Sequence, residues 1–238
     1  MRALFSMKAG RVPLLANGHT DGSDPTGSLI AEFDAKMARA HTSLYRSFLL
    51  LGVGSVLPTF VIFGAVDYFN DIGGGGGDIN FALNACYNGL LFVCSVANAL
   101  WLQRYGFSIR IVWGFIAMGC CMLSIPLLDQ LRNFGPQWGD AFETLVVVLS
   151  GILGIADAFA QGSLYGLTAA AFPPIYTQAL MFGVAICGTC MSLARIACKL
   201  LYDDLRGSSY LFFFIAGTYS LVVAALYFYE RKHNILFL

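Results

Sequence analysis

Charge is what this sequence has least of. Only 12% of its 238 residues are Asp, Glu, Lys or Arg, about half the share in an ordinary soluble domain, while 58% are hydrophobic. Water is therefore not expected to be its main solvent. Neither sign of charge is in excess, since fourteen basic residues balance fourteen acidic ones; the balance argues for no nucleic acid and for no basic partner. Histidine is scarce too. His19, His41 and His233 fall in the tail, near the interface and at the chain end, a spread that forms no shared metal site or triad, so neither enzyme activity nor a cofactor is expected.

Other patterns are incomplete. The first fifteen residues are interrupted by Arg2, Lys8 and Arg11 and lack the continuous apolar core of a cleaved signal peptide. Gly73–Gly77, followed by Asp78, lacks the Gly-Lys-Ser/Thr ending of a phosphate loop and reads as a linker. The seven cysteines, at 86, 94, 120, 121, 187, 190 and 198, all lie in apolar stretches. Cys187-Gly-Thr-Cys190 has redox-motif spacing without the βαβ setting such a motif needs, so all seven read as small apolar residues.

Long uncharged runs are what the sequence has instead. A bilayer core about 30 Å thick needs roughly 20 apolar residues per helix, and five stretches free of charge or nearly so stand out: Ser47–Val66, Ile79–Gln103, Ile111–Leu128, Ala158–Ala194 and Gly207–Tyr229. The fourth is long enough for most of two helices. Pro173-Pro174 divides it, because proline lacks a backbone N–H and biases the preceding residue away from helix. The fourth span then covers about Thr144–Ala170 and the fifth about Ile175–Lys199, which makes six.

Basic residues collect on the cytoplasmic side of membrane proteins. Ten fall on one side of the six-span parse, at positions 2, 8, 11, 36, 39, 46, 104, 110, 231 and 232, against Arg132, Lys199 and Arg206 on the other. Both termini are thus expected in the cytoplasm, with Asp67, Asp71 and Asp78 outside or in a lumen. Residues 1–43 read as a cytoplasmic tail, disordered over Asn17–Ser28 where little is apolar, with a short interfacial helix from the spacing of Ile30, Phe33, Met37 and Tyr45. Residues 44–230 form the transmembrane domain and residues 231–238 a cytoplasmic end.

An ionisable group at the bilayer centre costs about 2.5–3.5 kcal/mol on insertion scales, so each one demands a reason. Asp157 falls in the middle of the fourth span and Arg195 within the fifth. Asp157 and Gln161, four apart, share a helix face with Gly154, Tyr165 and Thr168. That face lines a polar pocket, or Asp157 pairs with Arg195 or a hydroxyl as a strut between helices. Asp157 also leaves room for proton coupling. Arg195 reads as structural or gating, since its long side chain reaches an interface from near a helix end. Asn84, Asn88 and Asn98 read as interhelical hydrogen-bonding groups.

From Gly154 to Gly166 the chain runs Gly-Ile-Ala-Asp-Ala-Phe-Ala-Gln-Gly-Ser-Leu-Tyr-Gly, and from Phe172 to Gly183 Phe-Pro-Pro-Ile-Tyr-Thr-Gln-Ala-Leu-Met-Phe-Gly. Gln161–Gly166, followed by Pro174-x-x-Thr177 with Tyr176 inside it, resembles the fourth- and fifth-helix signature of equilibrative nucleoside transporters. Gly52-Val-Gly-Ser-Val-Leu-Pro58, Asp67-Tyr-Phe69 and the turn from Gln103-Arg104 to Ser108-Ile-Arg110 resemble that family's first helix and its loop between helices two and three.

The resemblance implies an all-α integral membrane fold, a six-helix bundle like the amino-terminal half of a major-facilitator-like carrier. It implies alternating-access transport of a nucleoside or nucleobase, with the lipid bilayer as surroundings and the plasma membrane as location. It places substrate contacts at Gln161, Asn88, Leu91, Val56 and Phe63, with Asp157 and Thr59 beside them, and structural or gating roles at Arg195 and Arg110. Thr59 stands where several members have tryptophan. Five further helices of the family pattern are not in this sequence, so the resemblance also implies either pairing with a carboxy-terminal half or another carrier chain, or a truncated protein that does not transport and associates with a full-length carrier.

Overall fold

The computed structural model describes residues 25–72, 78–100, 106–132 and 138–233. Seven helices make up nearly all of them: α1 Pro25–Gly64, α2 Val66–Ile72, α3 Asp78–Leu100, α4 Phe107–Arg132, α5 Trp138–Ala171, α6 Pro174–Leu201 and α7 Leu205–His233. Residues 1–38 and 39–238 form separate packing units. In the first, the described part is helical from Pro25 onward, so the last four residues of the expected disordered stretch Asn17–Ser28 are helix. The separate short helix expected over Ile30–Tyr45 lies inside the bounds of α1. Gly73–Gly77 and Asn17–Asp24 fall outside the described residues.

Six segments of residues 39–238 are long and apolar enough to cross a bilayer, namely Arg39–Gly64, Ile79–Leu100, Phe107–Gln130, Phe142–Ala171, Pro174–Leu201 and Leu205–His233. They match the six expected spans, the first beginning earlier, at Arg39, and the last four each running slightly longer at both ends. A helix in hydrocarbon satisfies all its interior backbone polar groups by itself, which is why apolar runs of this length fold as unbroken helices.

The helix ends follow from local chemistry. Pro173 is the N-cap of α6 and Pro174 its first residue, where a missing N–H costs nothing and the fixed φ suits a helix. Asp204 caps α7, its Oδ2 accepting from the Gly207 N–H at 2.9 Å. Between α1 and α2 the chain barely departs from helix, since the Ala65 N–H still donates to the Val61 carbonyl at 3.1 Å.

α5 lies against α3 and α4, α4 also packs on α7, and α1 meets α6 closely at Gly52 and Gly183. Tyr68, Tyr87, Tyr176, Tyr227, Phe48, Phe69, Phe115, Phe212 and Phe213 are the largest wholly buried side chains. Four hydroxyls thus go inside with their rings, and each needs a hydrogen-bond partner there.

Candidate functional site

The polar heart of the bundle is a chain of three side chains on three helices. Tyr87 on α3 donates its hydroxyl to Asp157 Oδ2 on α5, and Thr59 Oγ1 on α1 lies 2.7 Å from the same phenol oxygen. The tyrosine's one proton is committed to the carboxylate, so the threonine is the donor to it. Asp157 is 1% exposed and its Oδ1 has no hydrogen-bond partner. The relay requires α3 and α5 to touch closely. Gly154, one turn before Asp157, supplies the contact: a Cβ there would stand 2.4 Å from the Tyr87 carbonyl oxygen and 3.3 Å from the Leu91 nitrogen.

Gln161, one turn beyond Asp157, is half-buried and makes no hydrogen bond to a described residue. Its amide keeps two donors and an acceptor for something else. Val56 and Leu91 are half-buried against the core. Phe63 is 48% exposed. Asn88 is exposed, its amide donating back to the Asn84 carbonyl at 2.9 Å. The structure therefore joins Thr59 to Asp157, sets Leu91 beside Gly154, and leaves Phe63 and Asn88 on outer faces of the described bundle. Tyr87, which links two of these residues, carries no signal in the sequence, because its partner lies seventy positions away and a tyrosine in an apolar helix reads as core.

Asp157 pairs with a hydroxyl and not with Arg195. The guanidinium of Arg195 donates from Nη2 to Asp67 Oδ1 at 2.9 Å and to Ser209 Oγ at 3.1 Å, over the face of Phe212. Lys199 Nζ reaches Asp67 Oδ2 at 2.6 Å, and Arg206 Nε lies 3.5 Å from Asp71. Burial pushes the Asp67 carboxyl up, but the hydrogen bonds and charges of Lys199 and Arg195 outweigh it and hold the group below its ordinary range. The opposite end of the bundle is tied by neutral and singly charged links, Ser43 and Ser47 each donating to Glu230 Oε1 at 2.8 Å, and Ser108 meeting Tyr227 at 2.9 Å. Arg110 is buried there, one guanidinium nitrogen donating to Asn98 Oδ1, while Asn98 donates to the Ala158 carbonyl at 3.1 Å.

Six apolar helices enclosing a small set of paired polar groups define a multi-pass helical membrane protein. Residues 145–236 match the family model described as "Nucleoside transporter". The chain is 32% identical over 200 residues to equilibrative nucleotide transporter 1 of Arabidopsis thaliana, covering 80% of this chain and 43% of that one. It is 29% identical over 191 residues to human equilibrative nucleoside transporter 4, covering 80% and 35%, and 29% identical over 184 residues to equilibrative nucleotide transporter 8 of Arabidopsis thaliana, covering 75% and 46%. The chain is thus similar, over residues 145–236 and across most of its length, to nucleoside transporters. It spans about a third to a half of the length of these curated relatives.

Proposed function

We propose that this chain is the amino-terminal, substrate-holding half of a nucleoside or nucleobase carrier that works by alternating access. The observation that carries the reading is Gln161, an amide without a partner among the described residues, one turn from a buried carboxylate, inside the segment that matches the family model. A base edge and ribose hydroxyls offer donors and acceptors together, which an amide meets with one side chain. Asp157 Oδ1, buried and unsatisfied, accepts from a ribose hydroxyl or a base N–H, and the Tyr87–Thr59 chain holds the carboxylate still. Val56, Leu91, Asn88 and Phe63 complete the substrate-facing surface. Arg195 and Arg110 are structural or gating residues, and the protein is a carrier without catalytic activity.

Alternating access needs one bundle to rock against another, so the active form includes a second bundle, the carboxy-terminal half or another carrier chain. Both termini are placed in the cytoplasm from the skew of basic residues toward one side, and the plasma membrane is the proposed location by analogy with carriers of this kind. A second reading is supported by the share of the relatives that the chain spans: a protein that does not transport and only associates with a full-length carrier. Uridine and adenosine uptake by cells expressing the chain alone, and together with a candidate second half, separates the two. Saturable uptake that appears only with both parts and is lost with Gln161→Ala supports the carrier reading. Uptake equal in wild type and Gln161→Ala overturns the site, and absence of uptake in every combination favours the associating protein.

A further inference from the structure

A second polar site lies away from the Asp157 relay, at the end of the bundle where α4 begins. Arg110, one turn into α4, is 7% exposed. Its Nη1 donates to Asn98 Oδ1 and the guanidinium carbon sits 5.1 Å from the centre of the Phe107 ring. Nε and Nη2 are buried and have no partner. Among the described residues no carboxylate pairs with it. A buried guanidinium held by one neutral amide and an aromatic face is short of hydrogen-bond acceptors among the described residues.

The two free nitrogens are a matched pair. Nε–H and the adjacent Nη2–H point in parallel along one edge of the guanidinium, the edge that grips two oxygens of a single oxyanion bidentately. Asn98 pins the opposite nitrogen and fixes the orientation of the fork, and Asn98 is itself anchored on the Ala158 carbonyl. Space is present beside it: a cavity of about 460 Å³ is lined by Ser95, Asn98, Ala99, Phe107, Gly162 and Gly166. At Gly162 a Cβ would come 2.7 Å from Asn98 Nδ2, so a side chain there would displace the amide that orients Arg110.

We infer that Arg110 and the cavity around it bind a phosphate group at the level of the membrane interface. The position favours phosphate: one turn from the start of a spanning helix is the depth of lipid headgroups, and basic pockets between spanning helices at that depth hold anionic headgroups. The volume is several times that of a bare oxyanion, so it accommodates the group together with part of what carries it. The phosphate comes from an anionic lipid or from solution. Neither source depends on the transport reading, since the site uses neither Gln161 nor Asp157.

The test is thermal unfolding of the purified 238-residue chain in phosphatidylcholine nanodiscs, with two additions: phosphatidylglycerol in the disc, or sodium phosphate in the buffer against sodium chloride at equal ionic strength. At least one addition raises the melting temperature of the wild type. The lipid arm alone assigns a headgroup and the buffer arm alone a free phosphate. The half-saturating concentration shifts about tenfold or more in Arg110→Gln, from loss of two charge-assisted bonds. Ser95→Leu, which fills the cavity and leaves Arg110 in place, shifts it likewise and keeps the test valid if Arg110→Gln does not fold. The exposed Arg46→Gln leaves it unchanged. No stabilisation by either addition, or stabilisation equal in wild type and both site variants, overturns the inference.

Discussion

Asp157 and Gln161 stand one turn apart on α5 and are treated very differently by their surroundings. The carboxylate is sealed in and tied by Tyr87 to α3 and through Thr59 to α1, whereas the amide is half-buried and untied. The first ties three helices together, and the second makes no hydrogen bond to a described residue. Tyr87→Phe removes the hydroxyl between Asp157 and Thr59 and leaves a buried carboxylate with neither oxygen satisfied, so it lowers unfolding stability by about 1–3 kcal/mol. Adding Asp157→Asn to Tyr87→Phe costs less than the two single losses combined, with a coupling of about 0.5–3 kcal/mol in a double-mutant cycle read by chemical unfolding in detergent. Additive losses would show that the two side chains do not interact. At this scale the sequence was only half legible: the cost of a charge in hydrocarbon singles out Asp157 and Arg195, but neither spacing nor type says that Asp157 takes Tyr87 and Arg195 takes Asp67. Those pairings join residues 70 and 128 positions apart, which only the packing of helices decides.

The helices were the most legible part of the sequence, and for a physical reason. Hydrocarbon leaves a chain no alternative to satisfying its backbone internally, so a run of apolar residues fixes an element with little help from elsewhere. Pro173-Pro174 marks the start of α6 within one residue of expectation. Less legible were the ends, where α5 begins six residues earlier than expected, because a helix continues into polar surroundings until a cap or a break stops it. What the pattern did not specify was which glycine sits in a contact. At Gly154 the α3 backbone is close enough that a Cβ must displace it. Gly154→Leu therefore separates α3 from α5, lowering the melting temperature and weakening the Tyr87–Asp157 bond, with a cost of about 1–3 kcal/mol or more for the overpacked contact. A Gly154→Leu variant that melts with wild type would mean the two helices are not in contact.

Taken as a whole, the bundle has one end tied by ion pairs and an opposite end tied by hydrogen bonds around Glu230, Tyr227 and Arg110. Asp67 and Asp71 meet Arg195, Lys199 and Arg206 at the first, tying the short α2 to α6 and α7; all of them but Arg195, which lies within the fifth span, are residues that the loop count assigned to the same side. Because the Asp67 carboxyl is held below its ordinary value of 3.8, its contribution is fully present above that pH and is lost as pH falls through the lowered value. Asp67→Asn therefore melts lower than wild type at pH 7, by about 1–2 kcal/mol once the partial exposure of the pair is discounted, and the two converge as pH drops well below 3.8. A gap that persists unchanged in acid would remove the ionic explanation. The fold of residues 39–238 does not itself move in this account; transport requires a second bundle to rock against it.

The central claim is that the polar face of α5 points inward, toward a water-accessible site that takes a nucleoside. The most direct measurement is labelling of a Gln161→Cys variant in membranes with a charged, membrane-impermeant thiol reagent, read at residue 161 by peptide mass spectrometry so that the seven native cysteines do not interfere. The account predicts modification at 161 that slows when adenosine or uridine is added. Modification only by a lipid-soluble reagent, with no protection by either nucleoside, would contradict it.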